Sequence, residues 1–301
     1  MASYLDNIVQ VDQRYGYEDL VNNLRELQER YPFIFVEIIG NSVMGKNIYA
    51  IRLGGGKKEV FYSADWHANE DLTGPLLMKF IEDYAKAYSQ GTTLNGYDVK
   101  YLFTNMSIWL VPMVNPDGVE LVQKGINPEH PFYEKVIGIN NGLIDFAGWS
   151  ANIRGVDLNH QWPADWEKEN AKSPQIPSPK KYGGSAPLTE PEAIAVYNFT
   201  KSHDFQTVLA FHSQEEVIYW GFKGLEPAIS AQIVNRFAVL TAYTPVRTAE
   251  SAAGYKDWFI QEYQKAGFTV EVGLGKNPLP MTQFPKIYQE NLSMLLEAPL
   301  L

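Results

Sequence analysis

Short apolar runs alternate with longer amphipathic segments along most of the chain, and this alternation constrains the fold more than any other feature. "EVFYSA" has no polar face, as suits a strand covered on both sides. After it, Leu72, Leu76, Leu77, Phe80, Ile81, Tyr84 and Tyr88 recur at helical spacing, with Thr73 expected to cap that helix and Pro75 fitting its first turn. The pattern repeats. "MSIWLVPMV" reads as a strand ending in the turn "NPDG", and "TVLAFHS" and "FTVEVG" read as further strands. The segments "TEPEAIAVYNFTKS", "AISAQIVNRFAVLTAY" and "YKDWFIQEYQKAG" read as helices, the first with Thr189 and Glu192 as a capping box. Upstream, Leu20, Val21, Leu24 and Leu27 mark a surface helix, and "PFIFVEIIG" with "KNIYAIRLG" a hairpin.

Such an order predicts an α/β fold: one domain over residues 1–301, with a mixed, largely parallel central β-sheet flanked by helices on both faces. Between Val122 and Pro187 the elements are short and Pro, Gly and Asn frequent; within that region Glu167 to Lys181 reads as a solvated insertion.

Composition removes several functional classes. A net charge of −10 and a pI near 5.1 repel nucleic-acid backbones and anionic lipid, and no stretch concentrates Lys and Arg. Neither nucleic acid nor membrane is an expected partner. With no cysteine, a zinc site must be built from His and carboxylate. The N-terminal "MASYLDNIVQVDQRYGYEDL" lacks the pattern of a signal peptide, which predicts a cytoplasmic location. The oligomeric state is not legible.

Ligands of open α/β sheets bind beyond the carboxyl ends of the strands. Four features fall there: His67 and Glu70 after "EVFYSA", "NPDG" after "WLVPMV", His212 ending "TVLAF", and Glu271 in "FTVEVG". Two histidines and a carboxylate, with a fourth position left to water, are a usual ligand set for hydrolytic zinc. A polar loop around His67 and Glu70, and a core histidine at His212, are the alternative readings of the same residues. Glu271 interrupts an apolar strand, a costly place for a carboxylate that is neither paired nor beside a metal. Its functional reading is a general base. His130, in a loop, and His203, ending a helix, take ordinary structural readings.

Taken in order, "HANE", "NPDG", "RGVDLNHQWP", "YGGSAPLTEPEA", "FHS" and "TVEVG", the last following Trp258 at the characteristic spacing, resemble the zinc carboxypeptidase family over nearly the whole chain. Within it, "DLNHQWP" and "VGLGKNPLP" look most like bacterial γ-D-glutamyl-diamino acid endopeptidases, which cut peptidoglycan stem peptides. The resemblance implies one Zn²⁺ per chain on His67, Glu70 and His212, with Glu271 as base for the attacking water. It further implies that Asn159 holds a substrate carboxylate, that Arg154 polarises the scissile carbonyl, and that the substrate is a peptide or muropeptide.

Two departures bear on specificity. His160 follows Asn159 where classical carboxypeptidases have Arg, so the fixed bidentate fork that clamps a C-terminal carboxylate is missing. The family's mobile tyrosine aligns with Ala249, Tyr243 and Tyr255 being the nearest substitutes. A diamino acid carries an extra cationic end, for which Glu215 or Glu216, just after His212, is a candidate partner; solvated charge at a strand terminus is the alternative reading of both. A conventional carboxypeptidase and a non-catalytic peptide-binding module share the same residues as alternatives.

Overall fold

The computed structural model describes residues 7–248 and 251–301. Its strands are β1 (Phe35–Asn41), β2 (Asn47–Gly54), β3 (Lys58–Ser63), β4 (Thr93–Leu94), β5 (Tyr97–Asp98), β6 (Met106–Val111), β7 (Phe205–His212), β8 (Val217–Tyr219), β9 (Thr244–Val246) and β10 (Ala266–Glu271). The helices are α1 (Tyr17–Arg30), α2 (Thr73–Gln90), α3 (Val99–Asn105), α4 (Pro116–Lys124), α5 (Tyr133–Ile139), α6 (Trp166–Asn170), α7 (Pro191–Lys201), α8 (Ile229–Thr241), α9 (Tyr255–Tyr263) and α10 (Phe284–Glu297). Eight strands make one sheet in the order β1-β2-β6-β3-β7-β10-β8-β9, and β4 with β5 form a separate small hairpin. The four central strands, β6, β3, β7 and β10, run parallel, while β1, β2 and β8 pair antiparallel.

Alternation along the central strands divides the core between the two faces. Val60 and Tyr62 of β3 pack with Leu209 and Phe211 of β7 and with α2, α8 and α10 on one side. Phe61, between them in sequence, packs with Val208, Ala210, α7 and α9 on the other. Because both faces are covered, these strands read as continuous apolar runs, with no period of two for a sequence reader to find. The tyrosine and tryptophan rings dominate the second face, where Trp66 stacks on Tyr255 at 5.4 Å and Trp162 lies 5.0 Å from Trp258.

Three local expectations are corrected. Leu72, not Thr73, occupies the cap position of α2, and Thr73 donates from Oγ1 to Asp65 while its oxygen accepts the Asp65 N–H. "NPDG" is no free turn: Asn115 caps α4, accepting from Gly118 N at 3.1 Å, with Pro116 in the first turn. The capping box does not form either, since α7 is preceded by Glu190, Thr189 bonds Gln161, and Glu192 accepts from Val43 N. For Thr73, Thr189 and Glu192 a more distant partner outcompetes the local one. Strands β8 and β9, three residues each, are too short to show a period, and α10 was also not anticipated.

The stretch from Glu167 to Lys181 is mostly solvated, but it is tied to the site. Pro179 O accepts from the N–H groups of Ser150 and Ala151, and Lys181 N donates to Asp157. Among the described residues no helix is long and apolar enough to cross a membrane.

Candidate active site

The loop leaving β3 is built around the buried carboxyl of Asp65, which accepts from Thr73 Oγ1 at 2.9 Å and Gly74 N at 2.8 Å. Gly74 has no alternative, because a Cβ there would lie 2.2 Å from Asp65 Oδ2. So pinned, the chain makes a turn in which Glu70 N donates to His67 O, and both side chains face the end of β7. His212 ends β7, and the parallel register sets Glu271 of β10 beside it.

His67 Nδ1 lies 2.9 Å from Glu70 Oε1, His212 Nδ1 2.9 Å from Glu70 Oε2, and the two Nδ1 atoms 3.3 Å apart. One ligand atom from each of the three falls within 4.8 Å of the others. Two imidazole nitrogens and a carboxylate turned towards one point match the N/O donor set of a catalytic zinc with an open position. The zinc ligands anticipated from the sequence are therefore brought together. Burial opposes ionisation of Glu70, yet His67 and His212 outweigh it and hold the carboxyl at about 2. Burial alone would lower His67, but Glu70 and Asp157 raise it, whereas in His212 burial prevails and favours the neutral ring that a metal needs.

Asp157 went unread in the sequence, although it stands inside the quoted "GVDLNH". Its Oδ1 lies 3.1 Å from His67 Nε2, which orients the ring with Nδ1 towards the cluster. Despite burial, the neighbouring His160 and His67 hold its carboxyl well below the ordinary range.

Glu271 lies at the exit of β10, half-buried, facing a cleft of about 770 Å³ also lined by Glu70, Asn159, His160, Glu215 and Lys256. Burial raises its carboxyl well above the usual range, and the neighbouring Glu70 adds to this. It forms no hydrogen bond with a described residue, which leaves both oxygens for a ligand. Gly273 follows at φ +71, and its carbonyl receives Glu215 N at 2.8 Å, so the two loops flanking the base are joined. A second cavity of about 310 Å³ adjoins the first at Glu70 and His160 and is lined also by His67, Asp157, Lys180, Lys181 and Lys276.

Asn159 Oδ1 accepts from Tyr255 N at 3.1 Å, leaving its amide nitrogen towards the larger cavity. His160 borders both cavities, with Nδ1 3.2 Å from Asp157 Oδ1 and Nε2 3.9 Å from Glu169. Glu215 accepts from the Tyr219 hydroxyl at 3.1 Å. Glu216 instead pairs with Lys286. The structure does not bring Arg154 to the cleft: Nη1 lies 3.5 Å from Glu190 Oε2, and neither cavity is lined by it. Tyr243 and Tyr255 are buried and hydrogen-bonded to Asn291 and Thr200, away from both cavities. Ala249 lies outside the described residues.

An open mixed sheet with a His-Glu-His cluster and a free carboxylate at the ends of its parallel central strands defines a metal-dependent hydrolase. The chain matches the zinc carboxypeptidase family over residues 20–294 and belongs to it; it is a zinc metallopeptidase. It is 48% identical to γ-D-glutamyl-L-diamino acid endopeptidase 1 of Lysinibacillus sphaericus over 96% of this chain and 73% of that protein. It is 38% identical to the protein YqgT of Bacillus subtilis (strain 168) over 97% of this chain and 79% of that one. Among solved structures, thrombin-activatable fibrinolysis inhibitor superposes with a TM-score of 0.76 at 17% identity, covering 98% of this chain and 77% of its own, which bears on the fold.

Proposed function

We propose that the enzyme hydrolyses the bond between the γ-carboxyl of D-glutamate and a diamino acid in peptidoglycan stem peptides. The observation that carries this reading is the 48% identity to a γ-D-glutamyl-L-diamino acid endopeptidase over 96% of the chain. His160 supports it, because a ring with one donor per nitrogen replaces the fork that would clamp a C-terminal carboxylate.

His67, Glu70 and His212 would hold zinc, which supplies Lewis acidity towards a water molecule and the scissile carbonyl. Glu271 accepts the proton of the attacking water. A carboxyl with a raised pKa is suited to both halves of the cycle, since it then returns the proton to the leaving amine. Asn159 Nδ2 holds a carboxylate of the diamino acid, and Glu215 receives its distal ammonium. Asp157 keeps His67 in orientation throughout. Arg154, held by Glu190, is given no part.

The test compares kcat/KM of the zinc-loaded enzyme on γ-D-Glu-diaminopimelate or γ-D-Glu-lysine peptides with that on α-linked peptides ending in Phe, Arg or Asp. Faster turnover of the γ-linked peptides is expected. Faster release of an α-linked terminal residue would establish a conventional carboxypeptidase, and stoichiometric zinc with no cleavage between pH 5 and 9 a binding module.

A further inference from the structure

Lys180, Lys181 and Lys276 converge on the smaller cavity beside His67 and Glu70, in a chain whose net charge is −10. All three are exposed, and none forms an ion pair with a described residue. Most other lysines near acidic groups are paired, as Lys46 is with Asp117 and Lys286 with Glu216. Three cations with no counter-ion among the described residues, at the rim of a catalytic cavity, suit an anionic part of a substrate.

Lys181 is the best positioned of them. It borders both cavities. Its backbone adopts φ +64, a conformation a non-glycine residue keeps only when its surroundings impose it, and here its N–H is held by Asp157 Oδ2 at 2.9 Å. The same carboxylate holds His67, so Lys181 is tied to the metal cluster through one residue.

Which end of the substrate meets these lysines follows from Glu271. The base must reach the leaving amine, and it lines only the larger cavity, so the diamino acid lies there and the glutamyl part in the smaller one. A γ-linked D-glutamyl residue keeps its α-carboxylate free, four bonds from the scissile carbonyl. An ordinary α-linked residue has only a neutral backbone amide on that side. Resting on the proposed function, we infer that Lys181, flanked by Lys180 and Lys276, binds the free α-carboxylate of the γ-linked glutamyl residue and so selects γ-linked substrates.

Two stem peptides with a γ-D-glutamyl-diaminopimelate bond, identical except that the glutamyl α-carboxylate of one is a primary amide, test this. The zinc-loaded wild type should favour the carboxylate form by about tenfold or more in kcat/KM, a preference that shrinks as salt rises. In Lys181→Met, and further in Lys181→Met with Lys276→Met, the ratio should fall towards one, whereas Lys181→Arg should preserve it. A misfolded or metal-poor variant loses both substrates alike and cannot mimic a change of ratio. Equal cleavage of the two peptides by the wild type, or an equal loss on both in Lys181→Met, overturns the inference while leaving the proposed function standing. A wild type that cleaves neither peptide yet releases α-linked terminal residues overturns both.

Discussion

Asp157 stands behind His67, its Oδ1 3.1 Å from Nε2 and its Oδ2 accepting Lys181 N at 2.9 Å. Removing such a partner frees the ring to turn and lowers its basicity as a ligand. Asp157→Ala should weaken zinc binding by about 10- to 100-fold, measured by competition with a chromophoric chelator. Affinity unchanged from the wild type would remove Asp157 from that role.

Glu271 is set beside His212 by strand register but is not one of the metal donors. Glu271→Gln should therefore keep the wild-type zinc content while kcat falls by about 10²- to 10⁴-fold, the usual worth of a positioned base. Metal analysis and turnover on the same preparation check this, and retained turnover would rule the base out.

Zinc binds the folded state, in which His212 meets the distant pair His67 and Glu70. Free zinc a thousandfold above its Kd should then stabilise the protein by about 4 kcal/mol, seen as a rise in melting temperature over the chelator-treated protein. His212→Ala should melt at one temperature with or without zinc.

Glu192 is fully buried, and burial pushes its carboxyl from 4.5 up to about 7. With the folded value above the unfolded one, the native state holds the proton more tightly, so stability falls as pH rises from 4.5 through 7. Glu192→Gln keeps an acceptor for Val43 N without the charge. It should stabilise the protein by about 3 kcal/mol at pH 8 and by almost nothing at pH 4. Denaturant midpoints at the two pH values are the measurement; a gain of the same size at both would exclude ionisation as its cause.

Legibility differed by the range of the interaction. The central strands and long helices could be read because each carries its own pattern, an apolar run in β3 or a stripe from Leu76 to Tyr88 in α2. His67 with Glu70 was visible as a local pair, and His212 and Glu271 because both end apolar strands. Asp157 and Lys181 carry no such mark. One lies within a motif read for its Asn, and the other in a stretch whose composition suggests only solvent.

By itself the chain determined the hairpin and the four central strands, that the ends of those central strands carry His67, Glu70, His212 and Glu271, and that no thiolate competes for the metal. Tertiary structure alone decided that the two Nδ1 atoms meet 3.3 Å apart, that Asp157 backs His67, and that Arg154 turns to Glu190. The reason is physical. Periodicity and strand ends are properties of neighbouring residues, whereas the partner of a side chain is chosen among all groups that folding brings within a few ångströms, and distance along the chain does not rank them.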